Sequence, residues 1–203
     1  MTLNTNRSSL DSLELLGSDK LRSEFPERRE LASGADKSPE RRQHPQRPNA
    51  APPERISAML EKTQMFKDLE WVQIEILAGY IQLYRAAPGA VLFREGERGD
   101  FMCIVLEGKL EIHKEDTQHV DKTVTTVSPG RSLGEMTIVD GEPRSATAVA
   151  IETSTLAVLT QENFLRIMRE KPALSAKLLL KIAQLLSQRL RLASGILVDY
   201  LES

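Results

Sequence analysis

The chain of 203 residues has a single cysteine, Cys103, and so no intramolecular disulfide. Set in FMCIVLEG, it reads as a small hydrophobe in a strand rather than a reactive thiol. The three histidines, His44, His113 and His119, have neither ligand-like spacing nor a cysteine partner, which argues against a metal site. No apolar run approaches the roughly 18 residues a spanning helix needs, and the first residues lack the basic start and continuous apolar stretch of a signal peptide. These absences make a soluble, cytoplasmic protein the expectation, with no membrane partner. An excess of either charge is also missing: 27 Lys and Arg against 29 Asp and Glu leave a net charge of −2, which advertises no surface for a polyanion such as DNA. A catalytic frame is missing too, with no nucleophile beside a histidine, no paired carboxylates and no metal cluster, so no enzymatic activity is expected.

Residues 1–53 contain no Val, Ile, Tyr or Trp, yet hold six of the ten prolines among nine basic and eight acidic residues. Such a segment buries too little apolar area to offset its ordering entropy and reads as a disordered arm. Within it only SSLDSLELL, Ser8 to Leu16, has the leucines for a short helix, laid on a partner or fraying without function.

Residues 54–203 change texture. PERISAMLEK predicts a short helix with Ile56, Met59 and Leu60 on one side. A second helix follows Asp68 as N-cap, with Leu69, Val72, Ile76 and Leu77 at helical spacing. From about 81 to 160 the runs IQLYRA, AVLF, FMCIVLE, LEIHK, TVTTV, SATAVAI and TLAVLT read as short strands, punctuated at Pro88-Gly89, Gly96, Gly99-Asp100, Gly108 and Pro129-Gly130. That spacing suits a small sandwich, barrel or roll. Gln161 to Lys171 then predicts a helix with Phe164, Ile167 and Met168 aligned, and Pro172 opens a long one running to about Tyr200. Along the long helix Leu179, Ala183, Leu186, Leu190, Ala193, Leu197 and Tyr200 form a heptad-like seam, while Leu178, Ile182, Leu185 and Leu192 form a second strip. One strip packs on the β domain and the other needs a further cover, for which a homodimer through this helix is the simpler account.

The stretch LGEMTIVDGEPRSATA, Leu133 to Ala148, sets an arginine, Arg144, among small residues in an otherwise half-apolar segment, where an unpartnered cation costs free energy. Its centre, Glu135 to Asp140, fits a short helix whose first amides sit at Gly134 to Met136, beside a glycine that lets a ligand approach the backbone. Arg144 offers a two-pronged donor for phosphate oxygens, Ser145 adds a hydroxyl, and Glu135 can accept from a ribose hydroxyl. On spacing alone, a direct pairing of Glu135 with Arg144 stands equally well.

With their flanks, PGAVLFREGERGDFMCIVLEGKLEI and PGRSLGEMTIVDGEPRSATAVA, these residues resemble the cyclic nucleotide-binding domain family, and the resemblance covers roughly Ile56 to Ser203. It implies a mainly β fold with flanking helices: a jelly-roll-like double-stranded β-helix, or β-roll, of eight strands, with short N-terminal helices and a long C-terminal helix. It also implies a cyclic nucleotide ligand, cAMP or else cGMP. By that resemblance Arg144 holds the cyclic phosphate, Glu135 accepts the ribose 2'-hydroxyl, Gly134 and Met136 supply backbone amides, and Ser145 and Ala146 complete the cradle. Gly89, Gly96 and Gly108 match its turn positions. In catabolite-activator-like members the long helix also gives hydroxyl contacts to adenine, which the resemblance puts at Ser194. Two departures stand out: Thr137 occupies a position where relatives carry a small residue, and nothing follows the long helix to build a helix-turn-helix. ERRELAS, Glu27 to Ser33, is only a poor likeness of a kinase inhibitory segment. The expected function is a regulatory sensor that rearranges its C-terminal helices for an unidentified protein partner. The alternatives are a dimeric scaffold that binds no nucleotide and a receptor for cGMP or a cyclic dinucleotide.

Overall fold

The computed structural model describes Leu10, Leu13–Leu16 and residues 53–116 and 120–201. The rest of the expected disordered arm lies outside the described residues. Within the described residues there are nine strands and five helices: β1 (Glu14–Leu15), α1 (Pro53–Leu60), α2 (Trp71–Ala78), β2 (Gln82–Ala86), β3 (Val91–Phe93), β4 (Phe101–Glu107), β5 (Leu110–Glu115), β6 (Asp121–Val127), β7 (Ser132–Leu133), α3 (Glu135–Asp140), β8 (Thr147–Ala150), β9 (Ser154–Thr160), α4 (Gln161–Glu170) and α5 (Pro172–Leu201). They form a five-stranded sheet, β1-β2-β9-β4-β7, and a four-stranded sheet, β3-β8-β5-β6, with every pairing antiparallel. This is the β-roll, with two short helices before it and a long one after.

The texture of β4 and β9 explains why the roll looked so apolar in sequence. Successive side chains of a strand face opposite ways. In β4, Phe101, Cys103 and Val105 enter the core between the two sheets, whereas Met102 and Ile104 enter a second core beneath the helices. In β9, Leu156 and Val158 face the first core, and Ala157 and Leu159 the second. Both faces of the five-stranded sheet are covered, so its central strands run apolar without alternation. The helical core draws on Leu60 of α1, Ile74 and Leu77 of α2, Phe164 and Ile167 of α4 and Leu178, Ile182 and Leu185 of α5.

Several expectations need correction. Ser8 to Leu16 does not supply a helix at its end: Glu14 and Leu15 pair with Arg85 and Tyr84 of β2, because that sheet edge offers the backbone partners that a lone short helix lacks. Asp68 does not cap α2. The cap is Glu70, whose N–H donates to Gln73 Oε1 (3.4 Å), while Asp68 accepts from Lys181 of α5. The later start turns the helix, so Ile74, Leu77 and Ala78 are buried and Val72 is 61% exposed. Ser132–Leu133, unforeseen, pairs with β4. Met168 lies outside the core that takes Phe164 and Ile167, and Leu192 does not share the burial of Leu178, Ile182 and Leu185. No described helix is long and apolar enough to cross a membrane.

Candidate functional site

The α3 segment is bounded by two glycines in the left-handed region, Gly134 at φ 79° and Gly141 at φ 74°, which hold it to the six residues the sequence indicated. Backbone alone sets the position of Arg144 after it: its N–H donates to Glu97 O (2.8 Å) and its carbonyl accepts from Gly96 N–H (2.9 Å), stapling this loop to the β3–β4 connection. The side chain turns inward and is only 3% exposed. Its Nη2 donates to Phe101 O (2.7 Å) and its Nη1 to Gly134 O (3.2 Å). The guanidinium carbon lies 4.1 Å from the ring centre of Phe93 and 4.6 Å from that of Phe101, geometry in which the ring faces attract the cation.

Two glycines are hollowed out for this guanidinium. A Cβ on Gly99 would stand 2.4 Å from Arg144 Nε, and one on Gly134 would stand 2.5 Å from Nη1. Burial holds the Arg144 pKa below the usual arginine value, partly offset by Cys103, Asp100, Glu135 and Glu97. Two of the five N–H donors of a guanidinium are engaged by carbonyls, and the buried Nε has no partner.

Glu135, at the start of α3, is 0% exposed. The direct Glu135–Arg144 pairing left open by the sequence is not what forms. Glu135 Oε1 instead accepts from Arg189 Nη1 of α5, whose Nη2 donates to Ser132 O. Glu135 Oε2 is buried without a partner. Arg189 is the functional residue that sequence reasoning missed, since it lies 54 positions from the glutamate and among several basic residues of one helix.

The rim is polar. Ser145 is exposed, its carbonyl accepts from Lys114 Nζ (2.8 Å), and its hydroxyl makes only a long contact to Met136 Sδ (3.9 Å). Lys114 also donates to Glu95 Oε1 (2.9 Å), and that hydrogen bond, with one from the Glu115 N–H, holds the Glu95 carboxyl below its ordinary value. Met136 is 46% exposed, and Ala146, next to Ser145 in sequence, is half-buried. The structure thus gathers Gly134, Glu135, Met136, Arg144, Ser145 and Ala146 around α3 and its following loop. Ser194 stands apart: it is exposed on α5 and donates its hydroxyl to Leu190 O (2.8 Å) within its own helix. Among the described residues no cluster of His, Cys, Asp or Glu could hold a metal ion. A separate cleft of about 270 Å³, lined by Lys62, Thr63, Gln64, Lys67, Pro129, Gly130 and Arg131, contains none of these site residues.

Comparison with known proteins identifies the family of the fold. The cyclic nucleotide-binding domain family matches residues 84–171, which takes in most of β2, strands β3 to β9, α3 and α4. A crystal structure of a cyclic nucleotide-binding domain from Methylobacillus flagellatus KT is 30% identical, covers 72% of this chain and 83% of its own, and superposes with a TM-score of 0.65. The cyclic AMP receptor protein of Thermus thermophilus is 29% identical over 132 residues, 65% of this chain. A cAMP-dependent protein kinase regulatory subunit from Blastocladiella emersonii is 31% identical over 116 residues, 57% of this chain. The chain spans 59% of the length of the first of these two curated relatives and 29% of the second. With the roll, the glycine-bounded helix and the buried arginine behind it all in place, the chain belongs to the cyclic nucleotide-binding domain family.

Proposed function

We propose that the chain is a cAMP-responsive regulatory module without catalytic activity, and that its ligand sits over α3 with the cyclic phosphate on Arg144 and the ribose 2'-hydroxyl on Glu135. One observation carries the reading: Glu135 Oε2 and Arg144 Nε are both buried without partners around the same short helix. A buried carboxylate oxygen and a buried guanidinium N–H are expensive to leave unpaired, and a ribose hydroxyl and an anionic phosphate are their complements. The backbone amides of Gly134 and Met136, the Ser145 hydroxyl and Ala146 complete the cradle; Ser194, whose hydroxyl is bonded to Leu190 O, is not part of it. The choice of cAMP follows the receptor and the kinase subunit among its relatives.

Arg189 supplies a route for the signal. It ties α5 to Glu135, so a ligand that binds one arrangement of this contact more tightly shifts α5 with it. The far end of α5 gives that shift an audience: Leu190, Leu192, Ile196, Leu197 and Leu201 are each more than half exposed. A homodimer through this stretch buries them, each leucine contributing about 1.5–3 kcal/mol when fully covered. A cytoplasmic protein partner then reads the new surface.

The occupancy of Glu135 by Arg189 also favours a second reading, a dimeric scaffold whose internal ion pair has replaced the ligand. A thermal melt with cAMP, cGMP and cyclic dinucleotides separates the two. A ligand at 100 times its Kd adds about 2.7 kcal/mol, and for a chain of this size that raises Tm by about 5–10 °C. A shift with cAMP supports the sensor, a shift only with another compound corrects the ligand, and no shift with any supports the scaffold.

A further inference from the structure

The sheet edge at β2 is occupied by a segment from outside the matched family region. Glu14 stands opposite Arg85 and Leu15 opposite Tyr84, and the Leu16 N–H donates to Leu83 O (2.8 Å). So short a ladder holds little by itself. The anchoring comes from two side chains: Leu13, 8% exposed, enters the core between the sheets with Ala86 and Leu156, and Leu16, 1% exposed, enters the helical core with Leu60 and Leu83. Residues three apart in an extended chain face opposite ways, so this spacing is what lets one short strand grip both cores. The intervening Leu15 is 47% exposed, and the Glu14–Arg85 register adds a cross-strand pair of opposite charge. Residues 17–52 separate this seat from α1, a contour of about 120 Å when fully drawn out.

We propose that the β2 edge is a peptide-binding groove for an extended Leu-acidic-x-Leu strand, and that the chain's own Leu13–Leu16 is a detachable ligand filling it. The groove supplies main-chain partners at Leu83 and along β2, one leucine pocket on each side of the sheet, and Arg85 for the acid, which is strand addition carried out within one chain. Release uncovers an unpaired edge and opens the helical core that also seats Leu178, Ile182 and Leu185 of α5.

Two measurements on the full chain test this. Hydrogen exchange of the wild-type protein should find the Leu16 amide protected, yet exchanging at least tenfold faster than Val158 in central β9, the mark of local opening. Exchange of Leu16 at the rate of unstructured chain, or only together with Val158, would overturn the proposal. In the second, a labelled peptide of residues 8–16 is titrated against the full-chain Leu13→Ser/Leu16→Ser variant. It should bind saturably, at least tenfold tighter than to wild type, whose groove is filled, and a peptide with both leucines replaced by serine should not bind. Equal affinity for variant and wild type, or binding to neither, contradicts the proposal. If the variant does not fold, the exchange measurement decides alone.

Discussion

Replacing Arg144 removes the centre of the proposed site, and the structure fixes how much should be lost. The guanidinium is buried against Phe93 and Phe101 and pinned through two carbonyls, so its remaining donors are held in place before any ligand arrives. A hydrogen bond to a charged group contributes about 1.5–3 kcal/mol, and two such bonds to one phosphate give about 3–6 kcal/mol. Rearranging the existing carbonyl bonds lowers the net value, but even one surviving bond corresponds to about tenfold in affinity. Arg144→Ala should therefore weaken cAMP binding by about tenfold at least, and by more than about 100-fold if both bonds count in full. Arg144→Lys keeps the charge but cannot bridge Phe101 O and Gly134 O with a planar fork, so its affinity should fall between. Titration calorimetry of the three proteins, with melts run beside them to establish folding, gives the ranking. Equal Kd values for wild type and a folded Arg144→Ala variant would refute the placement of the phosphate.

Other outcomes follow from the same structure. Burial pushes the Cys103 thiol up to about 12, so the native protein should resist alkylation at pH 8 and react only on unfolding, as intact mass would record. Burial, then the hydrogen bond its hydroxyl donates to Glu170 Oε2 (2.6 Å), pushes Tyr80 up to about 12 from an ordinary 10. Between about pH 10 and 12 the folded chain keeps a proton that the unfolded chain releases, so this contribution to stability is full below pH 10 and is lost as pH rises through that window. Tyr80→Phe should cost about 1.5 kcal/mol at neutral pH and flatten that part of an alkaline denaturation profile. On the proposed homodimer through α5, wild type should sediment as a dimer and Leu190→Asp/Leu197→Asp as a monomer at the same concentration, with the melt of the roll little changed because both side chains are exposed within one chain.

The features legible in sequence were those carried by local chemistry. The short helix at Glu135 to Asp140 was legible beside Gly134, and Pro172 marked the start of α5; that Gly134 and Gly141 bound α3 in the left-handed region emerges only from the structure. Arg144 stood out as a cation among small and apolar residues. What escaped depended on distance in the chain. Nothing in SQRLRL distinguishes Arg189 from Arg191 until α5 is laid across the roll, where Arg189 meets Glu135 and Arg191 bonds only to Ser187 one turn back. Ser8 to Leu16 has the leucines for a short helix, but the three-residue spacing of Leu13 and Leu16 serves two faces of a strand as readily as one helix face, and only the β2 edge decides between them. Asp68 has the chemistry of a cap, since aspartate caps helices well, but Lys181 of a distant helix claims it and Glu70 caps instead.

The most direct test is a crystal structure of the chain grown with cAMP. The account expects one nucleotide over α3, a phosphate oxygen within hydrogen-bond distance of Arg144 and the 2'-hydroxyl on Glu135 Oε2. A nucleotide bound elsewhere, or an empty cleft at saturating cAMP with Arg144 and Glu135 holding only Phe101, Gly134 and Arg189, would contradict it.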